Sequence, residues 1–255
     1  MSLLENIRRG IRKMPPKVLL YGGEGIGKSS WASDIPGAIF LSTENGLDEL
    51  DCESFPKVNS YREFLENLEA LQDDKSPYRA IVIDTMTNLE RLIQEYVCSS
   101  EGGMKSIEVV GGGYGKGYTF VAEEVKRLTL AFDSLHDKGW GIFILAHSKA
   151  ETFNDPEGPA YDRWSPRLHK KVCDVLVEWA SFVGYASMRK RITEVESGGG
   201  KTKNIAKATI GKDGPERYIR FVGGPSCVAK QRGQDFPGEL PLRWSDFENA
   251  TNWRS

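Results

Sequence analysis

A chain of 255 residues with 39% hydrophobic and 27% charged side chains carries enough apolar surface for one α/β core, which excludes wholesale disorder. Its 34 basic and 36 acidic residues give a formal net charge of −2, so coating nucleic acid through bulk positive charge is excluded and any such contact needs a local basic surface. No run approaches the roughly 18 consecutive apolar residues of a membrane span. The first ten residues mix charges with apolar side chains and lack a secretory apolar region, while four scattered cysteines and three histidines offer no zinc framework and read as thiols in a reducing cytosol.

In chain order, residues 1–14 read as a short basic amphipathic helix with Leu3, Leu4, Ile7 and Ile11 at helical spacing, ended by Pro15 and Pro16. The remainder, residues 15–255, reads as one compact core. Residues 17–21 are an apolar run of the kind a buried parallel strand shows, followed by a glycine-dense turn and a helix over 28–34. Strands are expected over 38–42 and 80–84, with a helix over 61–71 between them that sets Phe64, Leu65, Leu68 and Leu71 on one face. A helix over 88–98 leads into the glycine-rich stretch 99–117, then a long helix over 120–136 and a strand over 140–146. Residues 148–166 read as a polar loop, succeeded by a helix to about 179. Strands over 182–193 and 217–222 follow, joined by a Gly/Lys-rich connection around 197–204. Strands alternating with helices predict a mostly parallel, three-layer α/β sheet, here with a C-terminal β-hairpin extension.

The strongest chemical signal lies between the first strand and the first helix. Gly22-Gly23-Glu24-Gly25-Ile26-Gly27-Lys28-Ser29 matches G-x-x-x-x-G-K-[ST] in full. Such a loop, continued by Ser30, turns successive N–H groups inward around a polyphosphate. Lys28 would reach the β- and γ-phosphate oxygens and the Ser29 hydroxyl would ligate Mg²⁺. Asp84 closes the apolar strand 80–83, where an acid can hold the metal's water shell. Thr85 follows it, so the base that orients the attacking water must come from elsewhere, and Glu44, just after the second strand, is placed for that. His147 ends the fourth strand beside the expected nucleotide terminus and is a candidate γ-phosphate sensor. Lys230 and Arg232 form a late K-x-R pair of cations able to offset charge that spreads over the γ-phosphate.

Taken together, phosphate loop, acid–threonine strand end, Glu44, His147 and the Lys230/Arg232 pair resemble phage-encoded RecA-core ATPases, whose best understood members are Sak-type single-strand annealing proteins similar to a RecA/Rad51 core without accessory domains. The resemblance covers about residues 15–245, and only the phosphate loop is specific by itself. It implies a RecA-like P-loop NTPase fold and ATP with Mg²⁺ as cofactors. It further implies single-stranded DNA as partner, a head-to-tail homo-oligomer in which Lys230 and Arg232 act on a neighbour's site, an encounter with a single-strand binding protein, and a place in the host cytoplasm. In RecA-like proteins two loops line the DNA channel. Here residues 99–117 and 148–166 hold those places, with Lys105 and Lys116 on the first, Lys149, Arg163 and Trp164 on the second, and Arg167 just beyond. Cations along a backbone with aromatics for stacking suit sequence-neutral single-strand binding. Acids in the second loop (Glu151, Asp155, Glu157, Asp162) work against it. Two other readings stay open: a nucleotide-gated DNA-binding module with negligible turnover, and a small-molecule kinase on the same loop.

Overall fold

The computed structural model describes residues 10, 14–73, 76–189, 191–195, 205–209, 216–233 and 235–253. The helix expected over 1–14 and the connection around 197–204 lie almost wholly outside these residues.

The chain forms β1 (Lys17–Gly22), α1 (Lys28–Ser33), β2 (Ala38–Ser42), β3 (Glu53–Ser54), α2 (Tyr61–Ala70), β4 (Ala80–Asp84) and α3 (Met86–Ser100). A short irregular helical segment over Ile107–Gly112 precedes α4 (Lys116–Asp137), β5 (Gly141–Phe153), β6 (Tyr161–Pro166), α5 (Lys170–Trp179) and β7 (Phe182–Met188). The remainder comprises β8 (Arg191–Val195), β9 (Ile205–Thr209), β10 (Arg217–Arg220), β11 (Glu239–Pro241) and α6 (Trp244–Thr251).

The main sheet runs β11-β10-β7-β1-β5-β4-β2-β3. From β7 to β3 every neighbour is parallel, and β10 and β11 add the antiparallel C-terminal edge. The mostly parallel α/β architecture expected from the sequence is therefore present. Its strands are apolar on both faces because both faces are covered. Leu19, Ile81, Ile83, Ile142 and Ile144 pack toward α2, α3, α4 and α5. Their alternate neighbours Val18, Leu20, Val82, Phe143 and Leu145 pack toward α1 and α6. This is the period-two consequence of strand geometry. On the second face Trp31 of α1 meets Trp244 at 5.4 Å, Phe247 at 5.5 Å and Phe143 at 6.0 Å between ring centroids. The helix that follows the glycine loop is thus clamped by aromatic contacts of favourable edge-on geometry.

Three expectations are corrected. Residues 148–166 are not a loop: β5 continues to Phe153 and folds back as β6, with Glu151 opposite Arg163 and Phe153 opposite Tyr161. Both faces of this ribbon carry polar residues, so its sequence reads like loop composition. Residues 182–193 are two strands rather than one, since β7 joins the main sheet and β8 pairs only with β9. Finally, α4 begins at Lys116 rather than near 120, and α6 had no counterpart in the sequence reading.

Candidate nucleotide site

The C-terminal ends of β1, β2 and β4, with the point of β5 where its parallel pairing stops, surround a cleft of about 690 Å³, the place where open parallel sheets bind ligands. Its lining gathers Glu24, Gly25, Gly27, Lys28, Ser29 and Ser30 from the glycine loop, Glu44 from the end of β2, Asp84 and Thr85 from β4, and His147 from β5. Of the loop residues Gly22, Gly23 and Ile26 lie outside this lining, and Ile26 turns into the core beneath α1. The loop's sharp course rests on Gly25 (φ 69°) and Gly27 (φ 106°), a left-handed backbone that L side chains avoid. A Cβ on Gly23 or Gly25 would meet nothing within 4 Å, so the inner wall is open backbone, as a phosphate cradle requires.

Lys28 is only 6% exposed, and its Nζ donates to the carbonyls of Gly22 at 3.2 Å and Gly23 at 2.9 Å. Burial holds its pKa below the ordinary lysine value, against the pull of Asp84, Glu44 and Glu24. Ser29 Oγ donates to Asp84 Oδ2 at 2.6 Å. Burial pushes the Asp84 carboxyl up from its usual range, and the Ser29 hydrogen bond opposes this only in part. A hydroxyl and a carboxylate side by side fit Mg²⁺, which uses one or two protein oxygens with waters and phosphate oxygens for the rest.

The turn after β2 is built around Thr43. Its N–H donates to the Asp84 carbonyl at 2.8 Å, its hydroxyl donates to the Thr85 carbonyl at 2.9 Å, and its carbonyl accepts from the Asn88 side chain. Ser42 Oγ then donates to the Glu44 carbonyl at 2.6 Å. This bracing aims Glu44 across the cleft, where Oε1 accepts from Thr85 Oγ1 at 2.5 Å and both oxygens lie 3.3 Å from His147 Nε2. Hydrogen bonds from His147 and then Thr85 outweigh desolvation and hold the Glu44 pKa below the usual glutamate value. The opposite ring nitrogen, His147 Nδ1, is buried with no partner among the described residues.

The structure brings Lys28, Ser29, Asp84, Glu44 and His147 together but puts other expected residues elsewhere. Arg167 belongs to the cleft rather than to a DNA-lining loop: its Nη2 stands 3.2 Å from Glu24 Oε1. Lys149 donates to the Leu168 carbonyl at 2.6 Å. Arg163 pairs with Glu151 at 3.0 Å and covers the Phe153 ring. Trp164, 39% exposed, stacks on Tyr185 at 5.9 Å. Lys105 and Lys116 are exposed on the glycine-rich stretch beside the fully exposed Tyr114. Lys230 and Arg232 lie outside this cleft; Lys230 caps the end of α5 through the carbonyls of Val177 at 2.6 Å and Glu178 at 2.8 Å, while Arg232 is exposed and reaches the Glu178 carbonyl at 3.4 Å.

The sequence reading missed Arg217, which lines the cleft from β10 with Nη1 only 2.9 Å from where a Gly27 Cβ would sit. No local signal marks it, since only the antiparallel pairing of β10 with β7 carries it there. It also missed Thr43 and the cleft wall from Asn45 to Leu50. Among the described residues no helix is long and apolar enough to cross a membrane.

The chain is similar to several known proteins. The prophage-derived uncharacterized protein YorG of Bacillus subtilis (strain 168) is 24% identical over 164 residues, 62% of this chain and 47% of that protein. The chain thus spans about half the length of that curated relative. The crystal structure of the RadB recombinase aligns with 79% of this chain and 91% of its own at 12% identity and a TM-score of 0.42. That of the flagellar accessory protein FlaH from Methanocaldococcus jannaschii aligns with 86% of this chain and 84% of its own at 12% identity and a TM-score of 0.37. The AAA domain family matches residues 14–233, and a chain with an intact phosphate loop matched over that span belongs to this family of P-loop ATPases.

Proposed function

We propose that this AAA domain chain is a magnesium-dependent ATPase that binds single-stranded DNA and works as a head-to-tail homo-oligomer in strand annealing. The carrying observation is the convergence of Lys28, the Ser29–Asp84 pair and the Glu44–His147 pair at one cleft. In this reading the loop amides and Lys28 grip the phosphate tail. Ser29 and Asp84 hold Mg²⁺, which when bound neutralises phosphate charge. Glu44, kept ionised by its hydrogen bonds, orients a water toward the γ-phosphate when it turns from Thr85. His147 reports the phosphate to β5 and its ribbon. Arg232, exposed on the chain's own surface, serves as the finger offered to a neighbour, with Lys230 holding the backbone beside it.

Support for DNA as partner comes from Lys105, Lys116 and Tyr114, which are exposed together on one glycine-rich stretch. Lys149 and Arg163 are engaged within the chain and rank behind them. The prophage origin of the relative from Bacillus subtilis suits a phage protein working in the host cytoplasm. A single-strand binding protein is the natural further partner of such an activity.

ATP hydrolysis measured with and without single-stranded DNA across a salt series tests this. Turnover accelerated by DNA, with the acceleration fading as salt rises, is expected. One observation favours a second reading: Glu44 is held by both Thr85 and His147, a resting base suited to a slow, nucleotide-gated binder. DNA affinity that changes with nucleotide while turnover ignores DNA would favour that reading.

A further inference from the structure

We propose that Arg167 is a phosphate-contacting residue of its own chain's cleft, held in reserve by Glu24 and drawn to the terminal phosphoryl group of a bound triphosphate. This rests on the nucleotide reading above and deepens it, because it adds an arginine in cis where the sequence suggested, beyond Lys28, cations only from a neighbour.

Placement is the first argument. The guanidinium lines the same cleft as Lys28, Ser29, Glu44 and His147, and the Arg167 N–H donates to the His147 carbonyl at 2.8 Å. Arg167 thus stands on the Glu44–His147 side of the loop, where the attacking water and the γ-phosphoryl group would meet. The backbone around it is fixed. Pro166 pairs with Ser148, Leu168 is 3% exposed, and the His169 N–H donates to the buried Glu90 carboxylate at 3.0 Å. The side chain can therefore swing without moving its backbone.

The present partner is easily exchanged. Arg167 and Glu24 are 47% and 71% exposed at 3.2 Å, and an ion pair this open to water contributes little. A terminal phosphoryl group offers three acceptor oxygens and about two negative charges, and a guanidinium fork matches it in bidentate fashion. One carboxylate in water cannot compete. A diphosphate also ends in such a group, but one phosphoryl unit short of the γ position, so Arg167 discriminates between the two nucleotides by reach, and Glu24 opposes triphosphate binding by competing for the same cation.

The test is equilibrium binding of fluorescent ADP and of a fluorescent non-hydrolysable ATP analogue, each with Mg²⁺, to the full chain. Arg167→Ala is expected to weaken the triphosphate by about tenfold or more, the loss typical of a charge-assisted hydrogen bond, and to leave the diphosphate nearly unchanged. Arg167→Lys should recover part of that loss. Glu24→Gln should tighten triphosphate binding severalfold, and this gain should vanish in the Glu24→Gln/Arg167→Ala double variant. Equal losses on both nucleotides, or a triphosphate affinity indifferent to Arg167→Ala, overturn the assignment. Should Arg167→Ala fail to fold, Glu24→Gln decides: no gain for the triphosphate overturns it. A wild-type chain that binds neither nucleotide overturns the nucleotide reading, and the assignment with it.

Discussion

Two lysines of this chain begin in nearly the same local setting. Lys28 opens α1 after Gly27, and Lys116 opens α4 after Gly115, with left-handed backbone at both glycines (φ 106° and 74°). Both stand in glycine-dense stretches. Yet Lys28 is buried against loop carbonyls with Asp84 nearby, whereas Lys116 is exposed. What precedes each glycine makes the difference. The first loop leaves a buried strand held between β5 and β7, which aims it at the acids ending β2 and β4. The second follows a short helical segment on which α4 packs so closely that a Cβ on Gly117 would lie 2.0 Å from the Ile107 carbonyl oxygen. There glycine serves close packing under an exposed turn rather than a cradle. Glycine and lysine at a helix start become a phosphate site only when a strand delivers them to one.

The contrast breaks most sharply at the two lysines themselves. Lys28→Ala should weaken triphosphate binding by about a hundredfold or more through loss of a buried cation from the phosphates, whereas Lys116→Ala should leave calorimetric nucleotide affinity unchanged and reduce only the salt slope of DNA binding. Comparable nucleotide losses in the two variants would erase the distinction.

A smaller effect tests the exposed stretch in its own right. Tyr114→Ala should reduce single-stranded DNA affinity by about fivefold or more at fixed salt, the loss expected for one stacked base, and leave ATP affinity intact in fluorescence anisotropy. A neighbouring site shared between subunits gives a comparable test: Lys28→Ala and Arg232→Ala, each inactive alone, should recover partial turnover when mixed.

The smallest effect concerns stability near the buried loop. Because burial raises the folded-state pKa of Asp84, the folded chain holds that proton more tightly than the unfolded one, and stability falls as pH rises from the ordinary carboxylate range through the raised value. Asp84→Asn should therefore raise stability at neutral pH while removing the Mg²⁺ dependence of nucleotide binding. Thermal melts of variant and wild type should converge as the pH falls below about 4. A variant less stable than wild type at neutral pH would show that the Ser29 hydrogen bond outweighs desolvation.

Much of the cleft was legible because its parts are strand ends. A continuous apolar run such as residues 80–83 announces a buried parallel strand, and a single acid at its end has few structural reasons to be there. Glu44 and His147 were found in the same way, one strand end at a time. Arg217 was invisible for the opposite reason, since it begins a short strand that only its pairing with β7 and β11 brings to the cleft. The ribbon of β5 and β6 was misread because its pairing is cross-strand and both its faces are polar. Arg167, read with the DNA-lining cations, sits instead across the loop from Glu24, 143 positions away.

Local pattern by itself determined the phosphate loop, the order of buried strands and the polar residue each strand presents at its end. These follow from backbone geometry and burial, which act over a few residues. Tertiary structure alone decided which cations line the cleft and which are engaged elsewhere. A guanidinium or ammonium group takes whichever carboxylate or carbonyl the fold brings within reach, and for Arg167 and Lys230 that partner comes from a distant part of the chain.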